Sequence, residues 1–247
     1  MLSALRYSLN KNRMLHWLEE LHRNSIEVAS LCLPPGLDNP TIAALLETAE
    51  VRNLQEDIVK AVGESATGAM LFWGPHHRYL VLPPFPLAER RYTTTCEIEP
   101  LKTQLERDYL VGLVLVRLGA YGIGVFRGER LLGSKVGTGL VHARHRQGGS
   151  SSHRFERHRY KQMETFFTRV CQHAREQLEP YSRDLDYLFY GGARETILEF
   201  RKQCRFMHTL DRKTLDLLLN VREPKQAGLG EALEVAWSSR IIQWDEN

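Results

Sequence analysis

The segment Tyr109-Leu-Val-Gly-Leu-Val-Leu-Val-Arg-Leu118 is the clearest indication of this chain's fold. Its apolar and β-branched residues form an almost continuous run, which is typical of a strand covered on both faces. The pattern predicts further strands over 119–126, 129–135 and 186–190, and a helix over 194–205. Strands followed by helices interleaved with strands predict an α/β domain in which helices flank a mixed β-sheet.

Several core positions and two more helices are predicted in this domain. Ile197, Leu198 and Phe200 mark the apolar side of the helix over 194–205. The two further helices are predicted over 212–220 and 229–241. Aromatic residues inside predicted elements are most often core residues, so the following are assigned to the core: Tyr121, Phe126, Trp237 and Trp244.

Upstream, the sequence predicts an α+β part with helices first and then a β-hairpin. Apolar residues near helical spacing predict a helix over 3–21. Asn39-Pro40 predicts an N-cap followed by proline at the first helical position, opening a helix that continues to about residue 61. Strands over 69–73 and 78–82 flank a Gly-Pro-His-His turn. The predicted domains are an N-terminal α+β domain over 1–104 and a second domain over 105–247.

The composition is that of an ordinary globular protein, with 43% hydrophobic and 26% charged residues among 247. No apolar run approaches the roughly 20 residues that span a bilayer, and the first fifteen residues lack the apolar region of a signal peptide. The four cysteines lie far apart without a Cys-x-x-Cys pair, which excludes a zinc knuckle and argues against a disulfide scaffold. A reduced, cytoplasmic chain without membrane contact is expected.

Positive charge is concentrated in one segment rather than spread along the chain. The net charge is only +3, but residues 141–161 hold five Arg, one Lys and four His against the single acid Glu156. Such a local excess is typical of a surface that contacts phosphates. The alternative is a solvated basic loop and helix face without a partner.

Within this segment a glycine- and serine-rich stretch precedes a basic helix. Gly148-Gly149 lets the backbone approach a partner closely, and 150–152 can cap a helix that begins near His153. Phe155 is predicted to anchor that helix inward. Its basic positions recur at three- and four-residue spacing and form a stripe: Arg154, Arg157, His158 and Lys161. This pattern indicates a loop presented to nucleic acid, although Gly-Gly-Ser-Ser-Ser is also typical of a flexible linker.

Residues 147–159, Gln-Gly-Gly-Ser-Ser-Ser-His-Arg-Phe-Glu-Arg-His-Arg, resemble the signature of class-1 peptide-chain release factors of the eukaryotic and archaeal type. The opening Gln-Gly-Gly-Ser is closest to the release-factor-like peptidyl-tRNA hydrolases of ribosome quality control. The resemblance covers about 65–247 and implies a release-factor catalytic domain of ribonuclease-H-like topology. It implies as partners the peptidyl-transferase centre of the large ribosomal subunit and peptidyl-tRNA, bound by a monomer without a cofactor or metal.

The predicted site departs from the family pattern at its catalytic Gln. Ser150 occupies the Gln position of termination factors, Ser151 occupies that of the quality-control hydrolases, and Gln147 lies before the glycines. Catalysis is therefore assigned to Gln147, Gly148, Gly149, Ser150 and Ser151, and the choice between the Gln147 side chain and the loop backbone stays open. The predicted RNA-binding residues are Arg144, His145, Arg146, Arg154, Arg157, Arg159 and Lys161.

Three functions follow from these patterns. The first is a peptidyl-tRNA hydrolase acting on stalled ribosomes, independent of the codon because no stop-codon motif is recognisable in residues 1–100. The second is a non-catalytic ribosome- or tRNA-binding factor, and the third is an endonuclease at the tRNA acceptor end. A two-metal nuclease needs clustered carboxylates, whereas the first two strands have only Asp108 and Glu129 at their margins. His142 and His145 lack partners at zinc-ligand spacing and are predicted to be RNA contacts or solvated loop residues.

Overall fold

The computed structural model describes residues 4–24, 27–51, 55–141 and 152–244. The strands are β1 (Ala4–Leu9), β2 (Ala29–Leu33), β3 (Ala69–Trp73), β4 (Arg78–Leu82), β5 (Arg91–Thr93), β6 (Leu110–Arg117), β7 (Ala120–Arg127), β8 (Arg130–Thr138), β9 (Tyr187–Gly192), β10 (Thr214–Leu219) and β11 (Ser239–Trp244). The α-helices are α1 (Lys11–Asn24), α2 (Asn39–Thr48), α3 (Gln55–Gly63), α4 (Glu99–Glu106), α5 (Ser152–Leu178), α6 (Arg194–Gln203), α7 (Arg205–His208) and α8 (Gln226–Ala236).

The chain forms two compact units, of which the first takes residues up to Arg107 and again from Glu234. Its antiparallel sheet has the strand order β1-β11-β4-β3-β2-β5. Helices α2 and α3 bury Ile42, Leu46 and Ile58 in one apolar cluster with the strand residues Leu31 and Leu71. The predicted hairpin is confirmed residue for residue in β3 and β4.

Two predictions for the first unit are wrong in their boundaries. Residues 4–9 are predicted as helix but form β1, which pairs with β11; the helix begins only after Asn10, whose side-chain Oδ1 accepts a hydrogen bond from the Arg13 N–H at 3.0 Å. The helix predicted from Asn39 to residue 61 is two helices, α2 and α3. Asp38, not Asn39, is the N-cap of α2, and its Oδ1 accepts from the Thr41 N–H at 2.9 Å.

The C-terminal segment corrects both an element and a domain. Residues 229–241 are predicted as one helix, but α8 ends at Ala236 and β11 inserts between β1 and β4. The stretch with Ile241 and Ile242 pairs with β4, whose residues lie about 160 positions earlier in the chain. The predicted domain over 105–247 therefore loses its last residues to the first unit. Trp237 and Trp244 are buried, as predicted, although Trp244 lies on a strand.

The second unit, Asp108–Leu233, is a mixed sheet with the order β10-β9-β6-β7-β8. Strands β6, β7 and β8 form an antiparallel meander, β9 runs parallel to β6, and β10 runs parallel to β9. This is the ribonuclease-H-like topology that the family resemblance implies. Residues 212–220 are predicted as helix but contain β10, because Leu215, Leu217 and Leu219 face inward at every second position.

Helix α5 is the long element of the second unit and packs against β7, β8, α6 and α7. Its C-terminal half buries Phe167, Val170 and Leu178 in the main apolar cluster. Each such side chain stabilises the fold by about 1.5–3 kcal/mol through burial. Leu198, predicted on the apolar side of α6, is instead 47% exposed, whereas Ile197 and Phe200 are buried.

The cysteines depart from the expectation of a fully reduced chain. Cys171 on α5 and Cys204 after α6 form a disulfide, with Cα atoms 5.3 Å apart, while Cys32 and Cys96 are free and buried. Tertiary packing of α5 against α6 brings together two residues that sequence spacing alone does not relate. Within the described ranges, no helix is long and apolar enough to cross a membrane.

Candidate functional site

The predicted catalytic residues and three predicted RNA contacts lie outside the described residues. This group comprises Gln147, Gly148, Gly149, Ser150, Ser151, Arg144, His145 and Arg146. The structure describes the chain on either side of them, through Val141 after β8 and from Ser152 in α5. The roles predicted for these residues therefore stay predictions, and the geometry of the site begins with its two flanking elements.

The N-terminal turns of α5 are exposed. From Arg154 to Lys161, every side chain except the half-buried Arg159 is exposed, and the first buried residue of the helix is Phe166. Phe155 and Tyr160 are 57% and 61% exposed. The prediction that Phe155 anchors the helix inward is therefore wrong, because at this position α5 has not yet reached the apolar cluster that covers the sheet.

Three of the predicted RNA contacts share one face of these turns. Arg154, Arg157 and Lys161 follow one another at three and four residues, which places them in a row along the helix. We refer to these three residues as the α5 basic stripe. Arg159 is two residues beyond Arg157 and so lies about 200° around the helix from it. The structure thus brings three of the four described RNA-binding candidates together and places the fourth elsewhere.

A hydrogen-bonded aromatic cluster lies where β8 approaches α5. Tyr121 is buried on β7, and its hydroxyl shares a hydrogen bond with His173 Nδ1 of α5 at 2.5 Å. Its ring also packs edge-on against Phe166, with ring centroids 5.9 Å apart. Burial raises the pKa of Tyr121, an effect that nearby Arg169 partly offsets, so the phenol is neutral at physiological pH.

Two close approaches fix the end of β8 against this cluster. A Cβ on Gly137 would overlap the Tyr121 hydroxyl, so only glycine allows the strand this close to the ring. One residue further, the Arg169 Nη1 donates a hydrogen bond to the Thr138 carbonyl at 3.2 Å. These contacts hold residues 137 and 138, at the end of β8, against Tyr121 and α5.

The sequence does not reveal that the end of β8 and its contacts with Tyr121 and α5 belong to the site. Tyr121 is predicted only as core, which its burial confirms, as it does for Phe126. Its partner His173 lies 52 residues away, and no local motif links the two. Gly137 and Gly139, just after the strand predicted over 129–135, are the one indication of these contacts in the sequence. Glycine beside or within a strand often marks a position where another part of the chain approaches the backbone closely.

The described residues do not bring acids and metal ligands together. Across 4–24, 27–51, 55–141 and 152–244, no group of three or more His, Cys, Asp or Glu side chains is placed to hold a metal ion. Asp108 lies beside Gly128, in the turn between β7 and β8, where a Cβ on the glycine would meet its carboxylate at 2.6 Å. On the other side of the undescribed segment, the first turns of α5 present exposed Arg and Lys side chains.

Comparison with known proteins places these elements in a family. The model of a family described as the Actinobacteria/chloroflexi VLRF1 release factor, acVLRF1, matches residues 109–242. Peptide chain release factor subunit 1 of Archaeoglobus fulgidus is 32% identical over 163 residues, which are 65% of this chain and 40% of that protein. The corresponding protein of Picrophilus torridus is 24% identical over 263 aligned positions, covering 95% of this chain and 63% of its own length.

Among solved structures, the archaeal translation termination factor aRF1 is similar, with 21% identity, 92% of this chain and 70% of that chain covered, and a TM-score of 0.43. The chain spans about 40–63% of the length of these two curated relatives. The family model, by contrast, matches more than half of the chain, from Tyr109 to Ile242 in β11. The chain belongs to the acVLRF1 release-factor family, and with it to the class-1 peptide-chain release-factor superfamily.

Proposed function

We propose that this protein is a codon-independent peptidyl-tRNA hydrolase that frees nascent peptides on stalled ribosomes. The observation that carries the proposal is the α5 basic stripe, exposed on the helix that directly follows Gln-Gly-Gly-Ser in a chain of the release-factor family. We further propose that it acts in the cytoplasm as a monomer, with the peptidyl-transferase centre of the large subunit and peptidyl-tRNA as partners.

The reaction is the hydrolysis of an ester. Water attacks the carbonyl carbon that joins the peptide to the tRNA 3′ ribose, and the bond to the ribose oxygen breaks. The products are a peptide with a free carboxyl group and a tRNA with its hydroxyl restored. Such a step is accelerated mainly by orienting the water and by stabilising the oxyanion. We assign these tasks to the segment that contains Gly148 and Gly149, whose lack of a Cβ permits close approach of the backbone.

Two groups of this segment are candidates for the oxyanion and the water. Backbone N–H groups around Ser150 are available whatever the side chain is, and Gln147 offers a side-chain amide. Loss of one oxyanion donor costs about 10²–10³ in rate in well-studied hydrolases. The size of the effect of Gln147→Ala therefore separates the two assignments.

In this proposal the α5 basic stripe positions the segment rather than reacting. Its three cations are exposed on the surface of α5, where a polyanion can reach them. Contacts of this kind orient a protein on nucleic acid and release counterions, which makes binding dependent on salt. At the end of β8, the contact of Arg169 with Thr138 and the Tyr121–His173 hydrogen bond join the sheet to α5.

A second function is favoured by one specific observation. Both positions that carry the working Gln in the two related classes are serines in this chain, Ser150 and Ser151. A factor that occupies the ribosome without releasing peptide would keep the basic surface and dispense with that Gln. The third candidate, an endonuclease at the tRNA acceptor end, has the same partners and differs only in the bond that is cut.

The products of a single incubation separate these functions. Stalled large subunits carrying peptidyl-tRNA labelled in both peptide and tRNA are incubated with the protein. A hydrolase yields free peptide and full-length tRNA. A nuclease yields a shortened tRNA body without peptide, together with a short 3′ RNA fragment to which the peptide stays esterified. A binding factor leaves both labels unchanged while co-sedimenting with the subunit.

A further inference from the structure

A cleft lies between the end of β8 and the exposed part of α5. Its volume is about 340 Å³, and it opens to solvent rather than being enclosed. The side chains that matter here are Leu140, His158, Lys161, Thr165, Phe166 and Arg169. The volume lies near the lower end of the roughly 300–1,000 Å³ typical of small-molecule sites, which suits a group of about one nucleotide rather than a duplex.

The cleft is electrostatically one-sided. Among the described residues that line the cleft, Lys161 and Arg169 supply fixed positive charges, and none is Asp or Glu. The bond from Arg169 to the Thr138 carbonyl, 3.2 Å long, attaches this guanidinium to the strand side of the cleft. Because arginine carries five N–H donors in a fixed fork, a guanidinium held in this way suits a phosphate.

Leu140 and Phe166 give the cleft an apolar part. Leu140 is 72% exposed, and the buried Phe166 also lines the cleft. A Cβ on Gly139 would lie 2.6 Å from the Phe166 ring, so the glycine lets the strand approach the ring closely. Apolar side chains beside two fixed cations match a nucleotide, which joins a flat, largely apolar base to an anionic phosphate.

We propose that this cleft holds one nucleotide of a single-stranded RNA, with its phosphate between Lys161 and Arg169 and its base against Leu140. The inference rests on the proposed function, which brings the protein to RNA, and it adds the place where a strand is held. Lys161 belongs both to the cleft and to the α5 basic stripe. A strand whose nucleotide occupies the cleft therefore continues along Arg157 and Arg154.

Two threonines of α5 provide a matched pair of variants. Thr165 lines the cleft, whereas Thr168, three residues later and also exposed, does not. Thr165→Glu and Thr168→Glu introduce the same charge on the same helix surface, and glutamate is a good helix former. A carboxylate in the cleft lies next to the bound phosphate, and at a separation of about 6 Å the repulsion is enough to weaken binding at least tenfold.

The test measures binding of a fluorescently labelled single-stranded RNA hexamer by anisotropy at low salt. We expect Thr165→Glu to weaken binding about tenfold and Thr168→Glu to change it less than about threefold, with both variants retaining the wild-type melting temperature. In a salt titration, Arg169→Gln lowers the slope of log affinity against log salt concentration by about 0.7, the value for one phosphate contact on a single strand. Equal weakening by the two glutamate variants would overturn the proposal, as would wild-type protein that does not bind the hexamer.

The remaining arms separate the source of the nucleotide and the proposed function. If 5′-CMP displaces the hexamer at the same concentration as unlabelled hexamer does, the cleft is a site for free nucleotides and the strand proposal is wrong. Peptide release from stalled subunits is measured in parallel. If Thr165→Glu weakens RNA binding more than Thr168→Glu does, but the wild type releases no peptide, the cleft proposal is supported and the hydrolase proposal is wrong. If the wild type releases peptide but both variants bind RNA equally, the hydrolase proposal is supported and the cleft proposal is wrong.

Discussion

Reduction of the Cys171–Cys204 disulfide should lower the stability of the second unit by an amount that the structure sets. The bond joins residues 33 positions apart. In the chain-entropy model, closing a loop of that length costs the unfolded chain about 12.5 cal/mol/K, which is about 3.7 kcal/mol at 25 °C. For a domain of this size, a loss of that magnitude lowers the melting temperature by roughly 10–15 °C.

The assay is a thermal melt followed by circular dichroism, with and without dithiothreitol. Wild-type protein should melt roughly 10–15 °C lower when reduced. A Cys171→Ala, Cys204→Ala double variant should melt near the reduced wild type and should not respond to the reductant. The free thiols, Cys32 and Cys96, are present in every sample and so contribute equally.

Peptide mapping under non-reducing conditions identifies the bond itself. A cross-linked pair of peptides containing Cys171 and Cys204 is expected, together with two alkylatable thiols after denaturation. Four alkylatable thiols in protein purified without reductant would refute the pairing. A cross-linked protein whose melting temperature moves by less than about 2 °C on reduction would instead refute the loop-entropy reasoning.

Three further predictions concern the site. Replacing all three residues of the α5 basic stripe by Glu should abolish co-sedimentation with ribosomes, because we assign a phosphate contact to each of them. Arg175→Glu, near the C-terminal end of the same helix, should leave co-sedimentation nearly intact, and equal losses would contradict the assignment. Gly137→Ala should lower the free energy of unfolding by about 1–3 kcal/mol in a urea titration, because the new Cβ overlaps the Tyr121 hydroxyl. The Cβ of Gly230→Ala on α8 meets no atom within 4 Å, so that variant should be as stable as the wild type or more stable. A larger loss of stability in Gly230→Ala than in Gly137→Ala would show that β8 is not held as described. Gln147→Ala should slow peptide release about 10²–10³-fold if its amide acts on the water or oxyanion, and an effect below about fivefold would leave that task to the loop backbone.

The sequence predicts the fold best where the pairing partners are close in the chain. The β3–β4 hairpin and the β6–β7–β8 meander join neighbouring strands through short turns, so turn residues and apolar runs define them locally. The strands predicted as helix, β1, β10 and β11, have partners far away in the chain or lie at a sheet edge. Their short apolar runs fit the periodicity of a helix as well as that of a strand, and pairing with distant strands determines which of the two forms.

The candidate site divides in the same way. The α5 basic stripe was readable because three- and four-residue spacing is a local property of a helix. The prediction for Phe155 is wrong because the sequence does not show where along α5 the apolar cluster begins. The Tyr121–His173 bond and the Cys171–Cys204 disulfide each join residues more than 30 positions apart, and only the packed sheet and helices bring them together.

Single-turnover release of labelled peptide from stalled large subunits tests whether the segment that contains Gly148 and Gly149 carries the reaction. The assay compares the wild type with Gly149→Ala. We expect release with intact tRNA by the wild type and about 10²-fold slower release by the variant, with ribosome affinity unchanged within about twofold. Release by the wild type at no more than the spontaneous rate, or equal release by both proteins, would show that this segment does not carry the reaction.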